Sequence, residues 1–204
     1  MAVKVKICGI MSAADAEAAF ELGADAIGLN FCPGSPRALT IAKACEIVRG
    51  LPATACVVGV FANALREQVA STARDVGLRA LQFHGDERPE DCLGWDDLAV
   101  IKALAADGPE QLALRAARYN VAYVLVDAPS PRHGGSGRTF DWQIAAAIPR
   151  DRLVVAGGLT AENVAEAVRT LRPVGIDVAS GVEHSPGRKD YEKVKAFIRA
   201  AKAA

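Results

Sequence analysis

One pattern runs the length of the chain. A short segment rich in Val, Ile and Leu ends in a polar residue or a glycine, an Ala-rich amphipathic segment follows, and the pair begins again. Residues 3–8 (VKVKIC), 25–30 (DAIGLN), 55–61 (ACVVGVF), 79–84 (RALQFH), 98–104 (LAVIKAL), 121–127 (VAYVLVD), 152–156 (RLVVA) and 174–179 (VGIDVA) read as strands. Residues 12–22, 40–49, 63–75, 109–118, 141–147, 160–170 and 190–202 read as helices, whereas 87–92 (ERPEDC) supports a turn or two at most. Ser12, Thr40, Asn63, Thr160 and Asp190 read as helix caps, since each side chain accepts from the free N–H groups of a first turn.

Strands alternating with helices lead to a parallel sheet, either open and doubly wound or closed as a barrel. Eight units in 204 residues leave roughly 25 residues per unit, near the compact limit for a barrel. The first turn is CGIMS, without the GxGxxG fingerprint of the doubly wound fold. The Gly-rich turns come late, after the seventh and eighth strands, where a barrel binds phosphate. The expected fold class is therefore α/β: one compact (β/α)8 TIM barrel over residues 1–204, with a short or missing helix after strand four.

Composition narrows the function. Half of the chain is apolar (51%) and only 5% aromatic, so Ala, Val and Leu fill the core. Lys+Arg and Asp+Glu both number 24, which gives no global steering toward nucleic acid or an anionic membrane. The apolar runs are shorter than a membrane span, and the start of the chain carries no signal-peptide pattern. Cysteines 8, 32, 45, 56 and 92 form no CxxC pair, which argues against a disulfide framework and a zinc site. The expected compartment is the cytoplasm.

Barrel chemistry gathers at the C-terminal ends of the strands. There this chain places Cys8, the loop Ser35-Pro36-Arg37, the run Gln82-Phe83-His84-Gly85, Asp127, Gly157-Gly158 and Ser180-Gly181. Alternation puts Val3, Val5 and Ile7 on one face and Lys4, Lys6 and Cys8 on the other. An ammonium at Lys6 would bias the Cys8 thiol toward thiolate, as a general base requires. Lys4, deeper, needs a partner for its charge. Asp127 closes the apolar run VAYVLV, where a carboxyl beside apolar walls serves as a general acid. The turns AGGLT and ASGVE offer backbone N–H groups near helix starts, a phosphate site that needs no basic residue. Arg37, in the Pro-bounded loop PGSPRAL, presents a fork suited to a substrate carboxylate. The Gly-rich stretch 128–139 reads as a lid. Cys45 and Cys56 read as small buried hydrophobes.

In order along the chain stand KICGI (6–10), GSPRALT (34–40), GVFAN (59–63), LQFHGDE (81–87), LVDA (125–128), GGSGRTFDW (134–142), AGGLTAENV (156–164), GIDVASGVE (175–183) and PGRKD (186–190). Together they resemble the phosphoribosylanthranilate isomerase family, enzymes of tryptophan biosynthesis that perform an Amadori rearrangement. The resemblance implies that Cys8 is the general base and Asp127 the general acid. It implies that Arg37 holds the anthranilate carboxylate and that Gly157, Gly158, Ser180 and Gly181 bind phosphate. It implies further that His84 lines the site and Asp177 organises its phosphate end. It also implies a small-molecule substrate, no metal or organic cofactor, and a monomer or homodimer. Met11 stands where the family usually has Thr, past the base. Two alternatives are open at this point. One is another isomerase or synthase on a phosphate-binding barrel, such as the histidine-pathway aminoaldose isomerase. That enzyme's second phosphate would need Gly-rich turns after strands three and four, where this chain has FAN and HGDE. The other is a non-catalytic phosphosugar-binding protein.

Overall fold

Eight short strands bury both of their faces, which is why each reads as a nearly continuous apolar run. They are β1 (Lys4–Cys8), β2 (Ala26–Asn30), β3 (Val57–Phe61), β4 (Ala80–Phe83), β5 (Ala99–Ala105), β6 (Tyr123–Asp127), β7 (Leu153–Val155) and β8 (Gly175–Val178). In this computed structural model, which describes residues 2–129 and 140–204, they pair in parallel in chain order, and β8 returns to β1 to close the barrel. The stretch expected to form a lid lies outside the described residues from 130 onward, as does GGSGRT of the motif at 134–142.

The outer layer is α1 (Ala13–Glu21), α2 (Ile41–Val48), α3 (Arg66–Val76), α4 (Pro109–Ala116), α5 (Val164–Leu171) and α6 (Tyr191–Lys202). After β4 there is only a 3-10 turn, Pro89–Cys92, as the sequence suggests. The helix expected at 141–147 is a 3-10 segment, Trp142–Ala147. Outward strand residues such as Val5, Ile27, Leu81 and Ile176 meet helix residues such as Ala16, Ile47, Val69 and Phe197 in one core. Inside the barrel a smaller cluster of Val58, Ala80, Ile101, Ala103, Leu125 and Ala156 fills the lower layers. Cys45 and Cys56 are only half-buried.

Ser12, Thr40 and Asp190 cap their helices through side-chain oxygens, as expected. Asn63 and Thr160 do not. The cap of α3 is Leu65; Asn63 sits at φ +55° and its Oδ1 accepts from the Asp86 N–H at 2.7 Å. The cap of α5 is Asn163, whose side chain accepts from the Thr160 N–H (2.8 Å) and donates to the Gly158 carbonyl (3.0 Å). In both places the loop extends further than expected, because a polar side chain pins the loop itself. An antiparallel hairpin, β9 (Glu183–Ser185) and β10 (Arg188–Lys189), stands between β8 and α6 and was not anticipated from the sequence.

Candidate active site

The C-terminal ends of the strands surround a cavity of about 460 Å³, and all nine residues singled out from the sequence line it: Cys8, Arg37, His84, Asp127, Gly157, Gly158, Asp177, Ser180 and Gly181. The barrel register brings them together. Cys8 ends β1 and Asp127 ends β6, three strands away around the wall.

Below Cys8, Lys6 stands opposite Asp177 in the β1–β8 ladder, and its Nζ lies 2.7 Å from Asp177 Oδ1. Both are buried, at 7% exposure each. Burial works against the Lys6 ammonium, but the Asp177 carboxylate and Cys8 outweigh it and raise its pKa. Asp177 therefore neutralises the cation that was expected to tip Cys8 toward thiolate. Burial dominates at Cys8 and pushes its pKa up; Asp177 adds to the rise, and Lys6 and Lys189 only partly offset it. This environment favours the Cys8 thiol over a preformed thiolate. Gly28, paired with Cys8 across β1 and β2, makes room for it: a Cβ there would lie 2.7 Å from Cys8 Sγ and 3.2 Å from Lys6 Cε. Lys4 finds its partner at the other end of the barrel, where its exposed Nζ pairs with Asp25 at 3.2 Å.

Arg37 departs from expectation. Its Nε donates to Glu183 Oε1 at 2.7 Å and its Nη2 to Oε2 at 2.6 Å, so the fork meant for a substrate carboxylate grips one from the chain itself. Glu183 is held in turn by Lys189, whose Nζ donates to Glu183 Oε1 (2.9 Å), the Cys8 carbonyl (2.6 Å) and the Ala179 carbonyl (3.2 Å). Burial alone would raise the Glu183 pKa, but Arg37 and Lys189 bring it below its ordinary value. For Lys189 burial wins over the carboxylate, and its pKa is lowered.

Asp127 was expected beside apolar walls. Instead its Oδ1 accepts from the Ala128 N–H at 2.7 Å, and its Oδ2 lies 3.3 Å from His84 Nε2. Gly157, at φ +80°, closes this corner: a Cβ would stand 2.6 Å from Ala128 N and 2.9 Å from Asp127 Oδ1, so glycine is required both by backbone conformation and by space. Because α5 begins only at Val164, the N–H groups of AGGLT belong to a loop rather than to a helix start. Ser180 and Gly181 do open a helical turn, the short 3-10 segment Ser180–Val182 beside that loop.

Sequence reasoning missed Gln82, Glu183 and Lys189 as individuals. Gln82 was within reach, because alternation places it on the inner face with Ala80 and His84. Glu183 and Lys189 were not, since their burial depends on the hairpin.

Along nearly its whole length the chain is similar to one family of proteins. A family model described as N-(5'phosphoribosyl)anthranilate (PRA) isomerase matches residues 5–200. A Myxococcus xanthus protein named N-(5'-phosphoribosyl)anthranilate isomerase is 49% identical, covering 100% of this chain and 98% of its own. Among solved structures, phosphoribosyl anthranilate isomerase from Thermotoga maritima is similar with a TM-score of 0.89 at 41% identity, covering 99% of this chain and 100% of its own. A second such isomerase, solved in complex with reduced 1-(o-carboxyphenylamino)-1-deoxyribulose 5-phosphate, has a TM-score of 0.86 at 38% identity, with coverage of 99% and 100%.

Proposed function

The chain belongs to the N-(5'-phosphoribosyl)anthranilate isomerase family, and on that premise we propose how its cavity carries the family's reaction. It is an aldose–ketose isomerase of tryptophan biosynthesis, converting N-(5'-phosphoribosyl)anthranilate to 1-(2-carboxyphenylamino)-1-deoxyribulose 5-phosphate. The observation that carries the assignment of roles is that Cys8, Asp127 and both Gly turns line one cavity.

The phosphate is received by backbone N–H groups at Gly157, Gly158, Ser180 and Gly181, with Asp177 fixing the neighbouring wall through Lys6. Arg37, anchored by Glu183 on its Nε–Nη2 edge, directs Nη1 to the anthranilate carboxylate. Asp127 donates its proton to the furanose oxygen, the C1–O bond breaks, and an iminium forms. The iminium acidifies the C2 hydrogen. Cys8 takes that proton as thiolate, and the enolamine tautomerises to the ketone. The substrate's own nitrogen is the electron sink, so the reaction draws on no cofactor. Lys6 and Lys189 are the cations that favour the thiolate against its burial. The enzyme works as a cytoplasmic monomer or homodimer on a small molecule, without nucleic acid or membrane; among the described residues no helix is long and apolar enough to cross a membrane.

Turnover of freshly generated phosphoribosylanthranilate, followed by loss of anthranilate fluorescence, tests this reading. Cys8→Ala and Asp127→Asn should each lower kcat on the order of 10²–10⁴-fold or more. A folded Cys8→Ala or Asp127→Asn protein with near-normal turnover would remove that residue from the mechanism.

A further inference from the structure

Beside Asp127 stands a chain of polar groups, buried at Gln82 and half-buried at His84, whose inner members the reaction scheme leaves unused. Gln82 is 1% exposed, and its Nε2 lies 2.9 Å from His84 Nδ1. His84 Nε2 in turn faces Asp127 Oδ2 at 3.3 Å, while Asp127 Oδ1 is engaged by the Ala128 N–H. At the far end, Gln82 Oε1 is buried without a partner among the described residues.

Hydrogen-bond accounting gives this chain a direction. Once Asp127 has given up its proton it is a carboxylate, which only accepts, so in that state His84 must present Nε2–H to it. In neutral imidazole Nδ1 then carries the lone pair, and Gln82 must offer it an amide N–H. The reverse polarity would set the Nε2 lone pair against the carboxylate. It would also place the Gln82 NH2 group where Oε1 now sits with neither N–H paired, against one N–H and one acceptor unpaired now among the described residues, so the clash of the lone pair with the carboxylate decides. Gln82 is locked by its setting: it pairs with Val60 and Ile101 in the ladder, above the inner cluster of Val58, Ala80 and Leu125.

We infer that Gln82 is a positioning residue, whose amide holds His84 in the Nε2–H tautomer with that proton aimed at Asp127. The inference rests on the reading of Asp127 as the general acid. When Asp127 gives its proton to the ring oxygen, the negative charge that develops on its carboxyl meets two fixed donors, His84 Nε2–H at Oδ2 and the Ala128 N–H at Oδ1. Neither has to reorient during the step. Gln82 touches no reacting atom; it sets which imidazole nitrogen holds the proton.

The test is the tautomer itself, read from the 15N resonances of the His84 ring, assigned with a His84→Asn variant and set beside steady-state kinetics. The wild type should show a protonated Nε2 and a bare Nδ1. Gln82→Met, of similar size but unable to donate, should give a mixed tautomer. Its kcat should fall on the order of 10- to 100-fold with KM within about twofold. A wild-type spectrum with the proton on Nδ1 overturns the inference. So does a fall in kcat with the tautomer unchanged, or a changed tautomer with kcat unchanged. If Gln82→Met does not fold, the wild-type spectrum still decides. Gln82→Glu then serves as the second variant, because its carboxylate draws the proton to Nδ1. Loss of the acid assignment, seen as an active Asp127→Asn, is separate: it leaves the spectrum as it is and removes only the purpose of the tautomer.

Discussion

Two buried lysines in this barrel make the same three-point clamp, with different consequences. Lys102 Nζ donates to the Phe83 carbonyl (3.2 Å), the Gly85 carbonyl (2.6 Å) and Glu87 Oε2 (2.8 Å). Lys189 Nζ donates to the Ala179 carbonyl (3.2 Å), the Cys8 carbonyl (2.6 Å) and Glu183 Oε1 (2.9 Å). Each ties backbone at strand ends to a glutamate. They differ in what the glutamate does next. Glu87 accepts from the Asn63 and Gly85 N–H groups at 2.8 and 2.9 Å, so its clamp closes on the loops after β3 and β4. Glu183 grips the Arg37 fork, and Arg37 lines the cavity together with Cys8. The first clamp reaches the site only through the backbone on either side of His84; the second passes its geometry into it through the Arg37 side chain and the Cys8 carbonyl. A buried ion pair is therefore not evidence of function until its remaining hydrogen bonds are followed outward.

The sharpest way to break the comparison is to remove each ammonium. Lys189→Met should lower kcat/KM by about 100-fold as well as destabilising the fold, since Cys8, Ala179 and Arg37 all lose an anchor. Lys102→Met leaves Glu87 buried without its cation. It should cost about 3–5 kcal/mol, a fall in Tm of about 10 °C, with kcat/KM falling by no more than about tenfold. Steady-state kinetics with denaturant unfolding of both variants decides it; equal losses of activity would erase the distinction.

A smaller effect concerns pH. Burial raises the Cys8 pKa, so alkylation of Cys8, which reads the thiolate alone, should climb with pH to beyond the ordinary thiol value of about 8.5. Lys189 is one of the cations that lower this pKa. Its loss should move the rising limb to still higher pH, whereas Lys102→Met should leave the limb where it is. A limb that stays in place in Lys189→Met separates Lys189 from the base.

The smallest effect is on acid stability. The Glu183 pKa is depressed in the folded protein, so its contribution to stability is complete above the unfolded carboxyl value of about 4.3 and lost as pH falls through the folded value. Glu183→Gln should therefore show a shallower loss of stability from about pH 5 downward than the wild type. A parallel acid-unfolding curve would mean that Glu183 titrates alike in both states.

The alternation of apolar runs and amphipathic segments was enough to read the strands, the closed barrel and the weak connection after β4, because a strand buried on both faces leaves a compositional signature whatever its neighbours are. The polar residues at strand ends were legible too, since a barrel leaves few reasons to end an apolar strand in Cys8 or Asp127. What the sequence by itself determined is thus the architecture and the inventory of the cavity. The pairing of charges was decided by the tertiary structure alone. Lys6 and Asp177 are 171 residues apart, as are Cys8 and Lys189 by 181 and Arg37 and Glu183 by 146, and only barrel closure and the β9–β10 hairpin bring them within hydrogen-bond reach. The local reading made Lys6 an activator of the thiol. Closure set Asp177 against it and buried Cys8, and at that short range the opposing carboxylate and the loss of solvent outweigh the single favourable charge that the sequence displays.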